Sequence, residues 1–253
     1  MYKRIRCIGC HECLKVCPKR AIRFRKKIVS INRKLCDLCN KCAEICATNA
    51  IGVVGTRMDV TAVMSEILRD RMFYEQSRGG VTFSGGEPLT QIHFLVPLLD
   101  LCLKERIPTT LETCGYAPHE DFDTIAEKVN LFLYDLKIID DNVHKKFTGV
   151  SNRLILENFA RLAKRGSQIK VRFPVVPEVN DSDESVDEIG EFLSRNAVAD
   201  IDILPYHRAG IEKYRNLGRR YMLMRLKSPS DKKLKHIVER LQKYKLKVKV
   251  GGD

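Results

Sequence analysis

Beyond residue 56, apolar positions alternate between helical and strand spacing along the chain. The first helix is predicted after Thr56-Arg-Met-Asp59, a run that resembles a capping box. Further helices are predicted at 89–104, 119–128, 151–165 and 183–195, and a last one starts at Ser228-Pro229. Strands are predicted at 81–83, 108–115, 130–137, 168–174, 200–207 and 246–250. This alternation predicts an α/β fold with a parallel sheet, either open or closed into a barrel.

Polar side chains gather where these predicted strands end. They are Glu87, Glu112, Thr113, Asp135, Lys137, Arg172 and His207. The carboxyl ends of parallel strands form the sites of α/β folds, so the coincidence favours a binding site. Each residue alone has a plainer interpretation: Gly85-Gly86 as a tight turn, Asp135 and Lys137 as a surface ion pair, and His207 as a structural residue.

The first 56 residues contain a cysteine pattern that occurs twice. Two runs of the form C-x2-C-x2-C-x3-C follow each other at an offset of 29 residues. This is the bacterial ferredoxin pattern, in which the fourth cysteine of each run serves the other cluster. One [4Fe–4S] cluster is therefore predicted on Cys7, Cys10, Cys13 and Cys46, and a second on Cys36, Cys39, Cys42 and Cys17. Zinc or disulfides explain two repeated four-cysteine runs less well.

The charge distribution also changes at the end of this cysteine-rich segment. The net charge is +13 over 253 residues, and residues 1–56 carry 13 Lys/Arg against 3 Asp/Glu. We therefore predict a ferredoxin-type module at 1–56 and a second domain at 57–253. A basic module could bind nucleic acid, but Tyr2 and Phe24 are its only aromatic residues. Compensation of two anionic clusters explains the charge better, so no nucleic-acid partner is expected.

Neither a membrane span nor a signal peptide is predicted. The longest apolar stretch, His93 to Leu103, contains Pro97 and Asp100 and is too short to cross a bilayer. The N-terminus runs into the cysteine pattern without an apolar signal region. A cytoplasmic location follows, where cysteines stay reduced and can hold metal.

Six motifs carry a resemblance to a known family. They are Gly80-Val-Thr-Phe-Ser-Gly-Gly-Glu-Pro-Leu89, Glu112-Thr-Cys-Gly115, Tyr134-Asp-Leu-Lys137, Thr148-Gly-Val-Ser151, Arg172-Phe-Pro-Val-Val-Pro177 and Leu204-Pro-Tyr-His-Arg208. Together they resemble the glycyl-radical-enzyme activating enzymes of the radical S-adenosylmethionine (SAM) superfamily, such as the pyruvate formate-lyase activating enzyme. The resemblance implies a partial (β/α)6 TIM-like barrel with an N-terminal 2x[4Fe–4S] module. It also implies an anaerobic oxidoreductase.

The resemblance implies a reaction and its partners. A reduced [4Fe–4S] cluster cleaves SAM to methionine and a 5′-deoxyadenosyl radical, which removes hydrogen from a backbone glycine. The partners would be a glycyl-radical enzyme, through its glycine loop, and a flavodoxin or ferredoxin-type electron donor. Gly85, Gly86 and Glu87 would hold the methionine amino end of SAM. Asp135, Leu136, Lys137, Arg172 and His207 would line its pocket, and Glu112, Thr113 and Asp135 would hold a monovalent cation.

The family's C-x3-C-x2-C motif has no match in this sequence. Arg20 stands where the third cysteine would follow Cys13 and Cys17, and Asn49 stands there after Cys42 and Cys46. We therefore expect that the first barrel strand and the radical-cluster cysteines are missing, that a third cluster needs a complete chain, and that this chain alone is inactive. The alternatives are a two-cluster electron-transfer protein with a degenerate SAM barrel, and a binding protein that docks a glycyl-radical enzyme.

Overall fold

The computed structural model describes residues 1–26 and 28–251, which form two compact units. The first comprises Met1–Arg57 and His207–Leu226, and the second comprises Met58–Tyr206 and the chain from Lys227 onward. The predicted boundary after residue 56 stays a prediction, but residues 207–226 group with the cysteine-rich segment rather than with the second domain. One reason is that the Tyr2 N–H donates to the Asn216 carbonyl at 3.2 Å.

The first unit repeats some of its backbone pairing at the 29-residue offset of the cysteine pattern. Its strands β1 (Ile22–Arg25) and β2 (Ile28–Ile31) form an antiparallel hairpin, and its helices are Glu12–Lys15, Lys41–Glu44 and Gly210–Asn216, with a 3-10 turn at Arg4–Arg6. Ile22 pairs with Ile31, and Ile51 forms a bridge with Tyr2. The two pairs are equivalent, because Ile51 stands 29 positions after Ile22 and Ile31 stands 29 positions after Tyr2. The hairpin and the Gly210–Asn216 helix were not predicted.

The loops before the two short helices also repeat in backbone conformation. Gly9 and Leu38 have φ of 74° and 59°, and His11 and Asn40 have φ of 66° and 65°. Left-handed conformations are uncommon outside glycine, so their recurrence at equal offset shows that both cysteine loops turn in the same way.

The second unit contains a six-stranded parallel sheet in which each strand pairs with the next along the chain. Its strands are β3 (Val81–Phe83), β4 (Thr109–Thr113), β5 (Leu131–Asp135), β6 (Ile169–Val175), β7 (Asp200–Pro205) and β8 (Lys247–Val250). Its α-helices are Val60–Arg69, Arg71–Ser77, Ile92–Lys104, His119–Ile125, Asp141–Thr148, Arg153–Lys164, Asp183–Arg195 and Asp231–Gln242, with a 3-10 turn at Pro88–Gln91. Sequential parallel strands with intervening helices confirm the α/β class. The predicted loss of one family strand stays a prediction.

Side chains on this sheet alternate between an apolar core and a polar face. In β6, Ile169, Val171, Phe173 and Val175 are buried in the main core, whereas Arg172 lies between them in sequence and points to the other face. The register places Arg172 beside Asp135 of β5 and Asp202 of β7. The same alternation in neighbouring strands therefore brings charged residues together on the face opposite the core.

Some predicted element boundaries are wrong. Asp59, not Thr56, caps the first helix of the second unit, because its carboxylate accepts the Ala62 N–H at 2.8 Å. Ser230 caps the helix predicted to start at Ser228. The short helices Arg71–Ser77 and Asp141–Thr148 were not predicted. Among the residues described, no helix is both long and apolar enough to span a bilayer.

Candidate functional site

The turn after β3 exposes two consecutive glycines at the carboxyl edge of the sheet. Gly85 has φ of 111°, a conformation that side chains rarely adopt. A Cβ built on Gly85 or on Gly86 would meet no atom within 4 Å. Open space therefore lies beside both residues, and a ligand can approach their backbone closely.

Glu87 follows this turn and is held by the end of β4. The Thr113 hydroxyl donates to Glu87 Oε1 at 2.8 Å, and the Cys114 N–H donates to Oε2 at 2.8 Å. Thr113 in turn accepts the Gly115 N–H at 3.0 Å. Each carboxylate oxygen thus receives a donor from the protein, which fixes its orientation and leaves acceptor capacity for a cationic ligand.

Gly115 is required by the buried ring of Tyr134. It has φ of 76°, and a Cβ there would lie 1.9 Å from the Tyr134 hydroxyl oxygen. That hydroxyl donates to the Ile155 carbonyl at 2.7 Å, so the ring cannot move away without losing a buried hydrogen bond. Asn158 also donates to the Gly115 carbonyl at 2.9 Å. These contacts hold the backbone that supplies Glu87 with its donors.

Arg172 on β6 joins the carboxylates of two other strands. Its Nη2 lies 2.6 Å from Glu112, and its Nε donates to Asp135 at 3.0 Å. Lys137 lies 3.8 Å from the other oxygen of Asp135, and the Ser84 hydroxyl donates to Glu112 at 2.5 Å. We call Glu87, Glu112, Asp135, Lys137 and Arg172 the strand-end cluster. It carries three acids and two bases along four adjacent strands.

The two carboxylates on Arg172 have opposite pKa shifts. Burial raises the pKa of Glu112, but the Ser84 hydroxyl and the Arg172 guanidinium outweigh burial and hold it below its usual value. Burial raises the pKa of Asp135 above its usual value, although Arg172 and Lys137 act against this. The Arg172 guanidinium, together with Ser84, therefore outweighs the effect of burial on the pKa of Glu112. At Asp135 it offsets the effect of burial only in part.

In the first unit, the eight repeated cysteines line two cavities. Cys7, Cys10, Cys13 and Cys46 line one cavity. Cys17, Cys36, Cys39 and Cys42 line the other, which measures about 220 Å³. The structure thus brings together the two sets that the pattern assigns to separate clusters, and all eight thiols are free of disulfides.

Backbone amides add to the fit of a thiolate-bound cluster. The Ala21 N–H donates to Cys17 Sγ at 3.3 Å, and the Ala50 N–H donates to Cys46 Sγ at 3.2 Å. The two hydrogen bonds are equivalent at an offset of 29 residues, and each is donated to the fourth cysteine of its run. No three His, Cys, Asp or Glu side chains among the described residues converge on a single metal ion. The donor set is four separate thiols around each cavity, with amides that stabilise charge on sulfur.

Comparison with known proteins identifies the family. The model of the radical SAM superfamily matches residues 36–192, and that of the 4Fe-4S dicluster domain matches residues 6–50. A trans-4-hydroxy-L-proline dehydratase activating enzyme from Clostridioides difficile is 36% identical over 255 residues, which cover 100% of this chain and 84% of that protein. The chain belongs to the glycyl-radical-enzyme activating enzymes of the radical SAM superfamily.

Other relatives agree with this activase assignment. A choline trimethylamine-lyase activating enzyme from Oleidesulfovibrio alaskensis is 36% identical over 257 residues, covering 99% of this chain and 83% of that protein. A solved domain of a pyruvate-formate lyase-activating enzyme from Bacteroides vulgatus superposes with a TM-score of 0.59 at 32% identity. It covers 69% of this chain and 99% of that domain. Iron–sulfur clusters and SAM are therefore the cofactors of this activase.

Two residues predicted for the SAM pocket of the activase are not part of the strand-end cluster. The Leu136 side chain is buried in the apolar core, so only its backbone is available at the sheet edge. His207 is exposed, belongs to the first unit, and accepts the Ala209 N–H at Nδ1 at 3.3 Å. The proposed roles of both residues in the SAM pocket stay predictions.

Three polar residues near the activase's charged sheet face were not predicted. Ser84 binds Glu112, and Lys170 lies 3.0 Å from Asp202. Asp202 is buried, and its Oδ1 has no hydrogen-bond partner among the described residues. A signal for Asp202 was present, because an acid inside the otherwise apolar run Ile201-Asp-Ile-Leu204 indicates a polar face of the strand.

Proposed function

We propose that the strand-end cluster binds SAM and that the activase generates a glycyl radical on a partner enzyme. When bound, SAM and a reduced [4Fe–4S] cluster supply the radical chemistry. The observation that carries the proposal is a cluster of mixed charge at the carboxyl edge of a parallel sheet, beside two glycines with open space. SAM presents an ammonium, a carboxylate and a sulfonium, and such a ligand needs both signs of charge.

Within this proposal each side chain has a chemical task. Glu87, oriented by its two donors, accepts from the ammonium, and the backbone at Gly85 and Gly86 allows the methionine portion to lie close. Lys137 faces the carboxylate, and Arg172 completes the pocket within the second unit. The role of His207 stays a prediction. A monovalent cation on Glu112, Thr113 and Asp135 is also proposed. Since Arg172 already pairs with both acids, that cation would share them with the guanidinium.

We also propose one [4Fe–4S] cluster in each cysteine cavity, about 8 Fe per chain. Paired Cys→Ser variants test this assignment. Cys7→Ser with Cys46→Ser removes ligands of one cluster and should leave about 4 Fe, whereas Cys7→Ser with Cys17→Ser affects both and should leave almost none. Equal iron content in the two double variants would refute the crosswise ligand sets.

Calorimetric titration of SAM into the 253-residue chain with reconstituted clusters tests the SAM site. Saturable binding to one site per chain is expected. A lack of binding at millimolar SAM, in a preparation with full iron content, would contradict the proposal. That result would favour the second candidate, a two-cluster electron-transfer protein, because an electron carrier has no use for a SAM pocket.

The printed sequence contains no C-x3-C-x2-C run, whose thiolates would leave an iron open to SAM. We therefore expect the 253-residue chain, assayed alone with dithionite, to release no 5′-deoxyadenosine. Formation of 5′-deoxyadenosine over many turnovers would refute this expectation. The electron donor is proposed to be a flavodoxin or a ferredoxin, and the location to be the cytoplasm.

A further inference from the structure

A cavity in the first unit is lined by four arginines and by no acidic residue. Arg4, Arg33, Arg215 and Arg219 come from three separate segments of that unit, and the cavity measures about 470 Å³. All four side chains belong to exposed residues. Four guanidinium groups around one cavity create a positive potential that attracts an anionic partner.

These arginines are unpaired within the described parts of the chain. None of the four forms an ion pair with residues 1–26 or 28–251, whereas arginines of the second unit such as Arg172 and Arg240 each contact two carboxylates. Like charges that are close together repel one another, and no acidic residue lines this cavity to offset that repulsion. The arrangement is stabilised when an external anion binds.

The arginine-lined cavity shares a wall with one of the cysteine cavities. Ile31, Arg33 and Leu217 line both the arginine cavity and the cavity of Cys17, Cys36, Cys39 and Cys42. An anionic surface that binds the arginines therefore lies against the wall of the site proposed for the second cluster. The other cysteine cavity shares only Val29 with the arginine cavity and contains none of the arginines.

We propose that the acidic surface of a one-electron carrier protein docks on these four arginines and reduces the cluster held by Cys17, Cys36, Cys39 and Cys42. This inference rests on the proposed function, which places a cluster there. One electron leaves the reduced flavin of the donor and enters that cluster, and no bond is made or broken. Exposed arginines are typical of protein interfaces, whereas a pocket for a small anion buries most of its ligand and the polar groups that hold it.

The test uses the full chain with reconstituted clusters and an acidic bacterial flavodoxin as the probe. The variant Arg4→Glu/Arg219→Glu removes two of the arginines, neither of which lines a cysteine cavity. The matched control, Arg23→Glu/Arg225→Glu, makes the same change in net charge at exposed positions of the same unit. Iron content and circular dichroism of both variants must match the parent before binding is compared.

Binding of flavodoxin by surface plasmon resonance is the first readout, and stopped-flow reduction of the clusters is the second. At 50 mM salt, the cavity variant should lose at least about tenfold in affinity and in reduction rate, and the control should stay within about twofold. At 400 mM salt the difference should shrink, because the ions screen it. Reduction by dithionite should be the same in all three proteins.

Equal losses in the two variants would overturn the proposal, since net charge alone would then explain binding. So would unchanged flavodoxin binding in the cavity variant. If pyrophosphate binds saturably, and only that binding depends on Arg4 and Arg219, the cavity is a small-anion site and the proposal is wrong. Iron content and SAM binding of the same preparations report separately on the proposed function, so the two failures are distinguishable.

Discussion

Replacing Glu87 by glutamine tests whether this carboxylate binds the ammonium group of SAM. The variant keeps the shape of the side chain and removes its charge. Glutamine Oε1 can still accept the Cys114 N–H, and its amide can donate to the Thr113 hydroxyl oxygen, which accepts only one hydrogen bond in the structure. The fold should therefore lose at most about 1 kcal/mol, roughly the net worth of one neutral hydrogen bond.

The expected loss in SAM binding is larger. A hydrogen bond to a charged group contributes about 1.5–3 kcal/mol, and about 1.4 kcal/mol corresponds to a tenfold change in affinity. If the ammonium of SAM contacts Glu87, the Glu87→Gln variant should bind SAM about 10- to 150-fold more weakly. The lower end applies if water reaches the contact, because solvent weakens charge–charge attraction.

Calorimetric titration with two ligands separates this contact from a general disturbance of the pocket. SAM carries the ammonium, whereas 5′-methylthioadenosine lacks the whole amino-acid portion. The variant should bind SAM more weakly and bind 5′-methylthioadenosine as the parent does. Glu127→Gln, at an exposed position outside the strand-end cluster, is the control. SAM affinity within twofold of the parent, or an equal loss for both ligands, would refute the role of Glu87.

Three further predictions concern stability. Gly115→Ala should lower the free energy of unfolding by about 2–4 kcal/mol, because the backbone there is left-handed and the new Cβ would clash with Tyr134. Gly149 is also left-handed but has open space beside it, so Gly149→Ala should lower the free energy of unfolding by only about 1 kcal/mol. Glu112 has a lowered pKa, so its ionised form should add to the free energy of unfolding at neutral pH. Urea titrations at a series of pH values should show this contribution being lost as the pH falls through that pKa. Asp135 has a raised pKa, so its contribution to the free energy of unfolding is lost as the pH rises through that pKa. At pH 7, Asp135→Asn should therefore lower the free energy of unfolding less than Glu112→Gln does. Removal of iron with a chelator should abolish the structure of the first unit before that of the second, as followed by proteolysis.

Much of the fold follows from the spacing of apolar residues. All six strands of the parallel sheet were predicted, as was the helix Asp183–Arg195, because each apolar run has strand or helix spacing and is bounded by polar, glycine or proline residues. The missed helices are short; Arg71–Ser77 and Gly210–Asn216 have no buried residue, and Asp141–Thr148 has only His144. A helix without a buried face leaves no apolar period in the sequence.

The candidate site was predictable in its members but not in its connections. Glu112, Asp135 and Arg172 were selected because they end strands, and alternation explains why they share a face. Their pairing depends on strand register, which brings Arg172 beside Asp135, and on the reach of its guanidinium to Glu112. Contacts of this kind depend on tertiary structure and leave no local signal.

The two units of the chain differ in what holds them together. The second unit has a main core that extends along the sheet, whereas the core of the first consists of Tyr2, Ile22, Val29, Ala50 and Ile51, with five of the eight repeated cysteines packed against it. A core of five residues is small for a unit of this length, and units of this kind depend on metal or disulfides. We therefore expect the clusters proposed for the two cysteine cavities to supply the missing stabilisation. Basic residues near the proposed clusters would offset their negative charge and so contribute to folding, whereas the four arginines of the arginine-lined cavity, which no acidic residue lines, remain available to bind a partner.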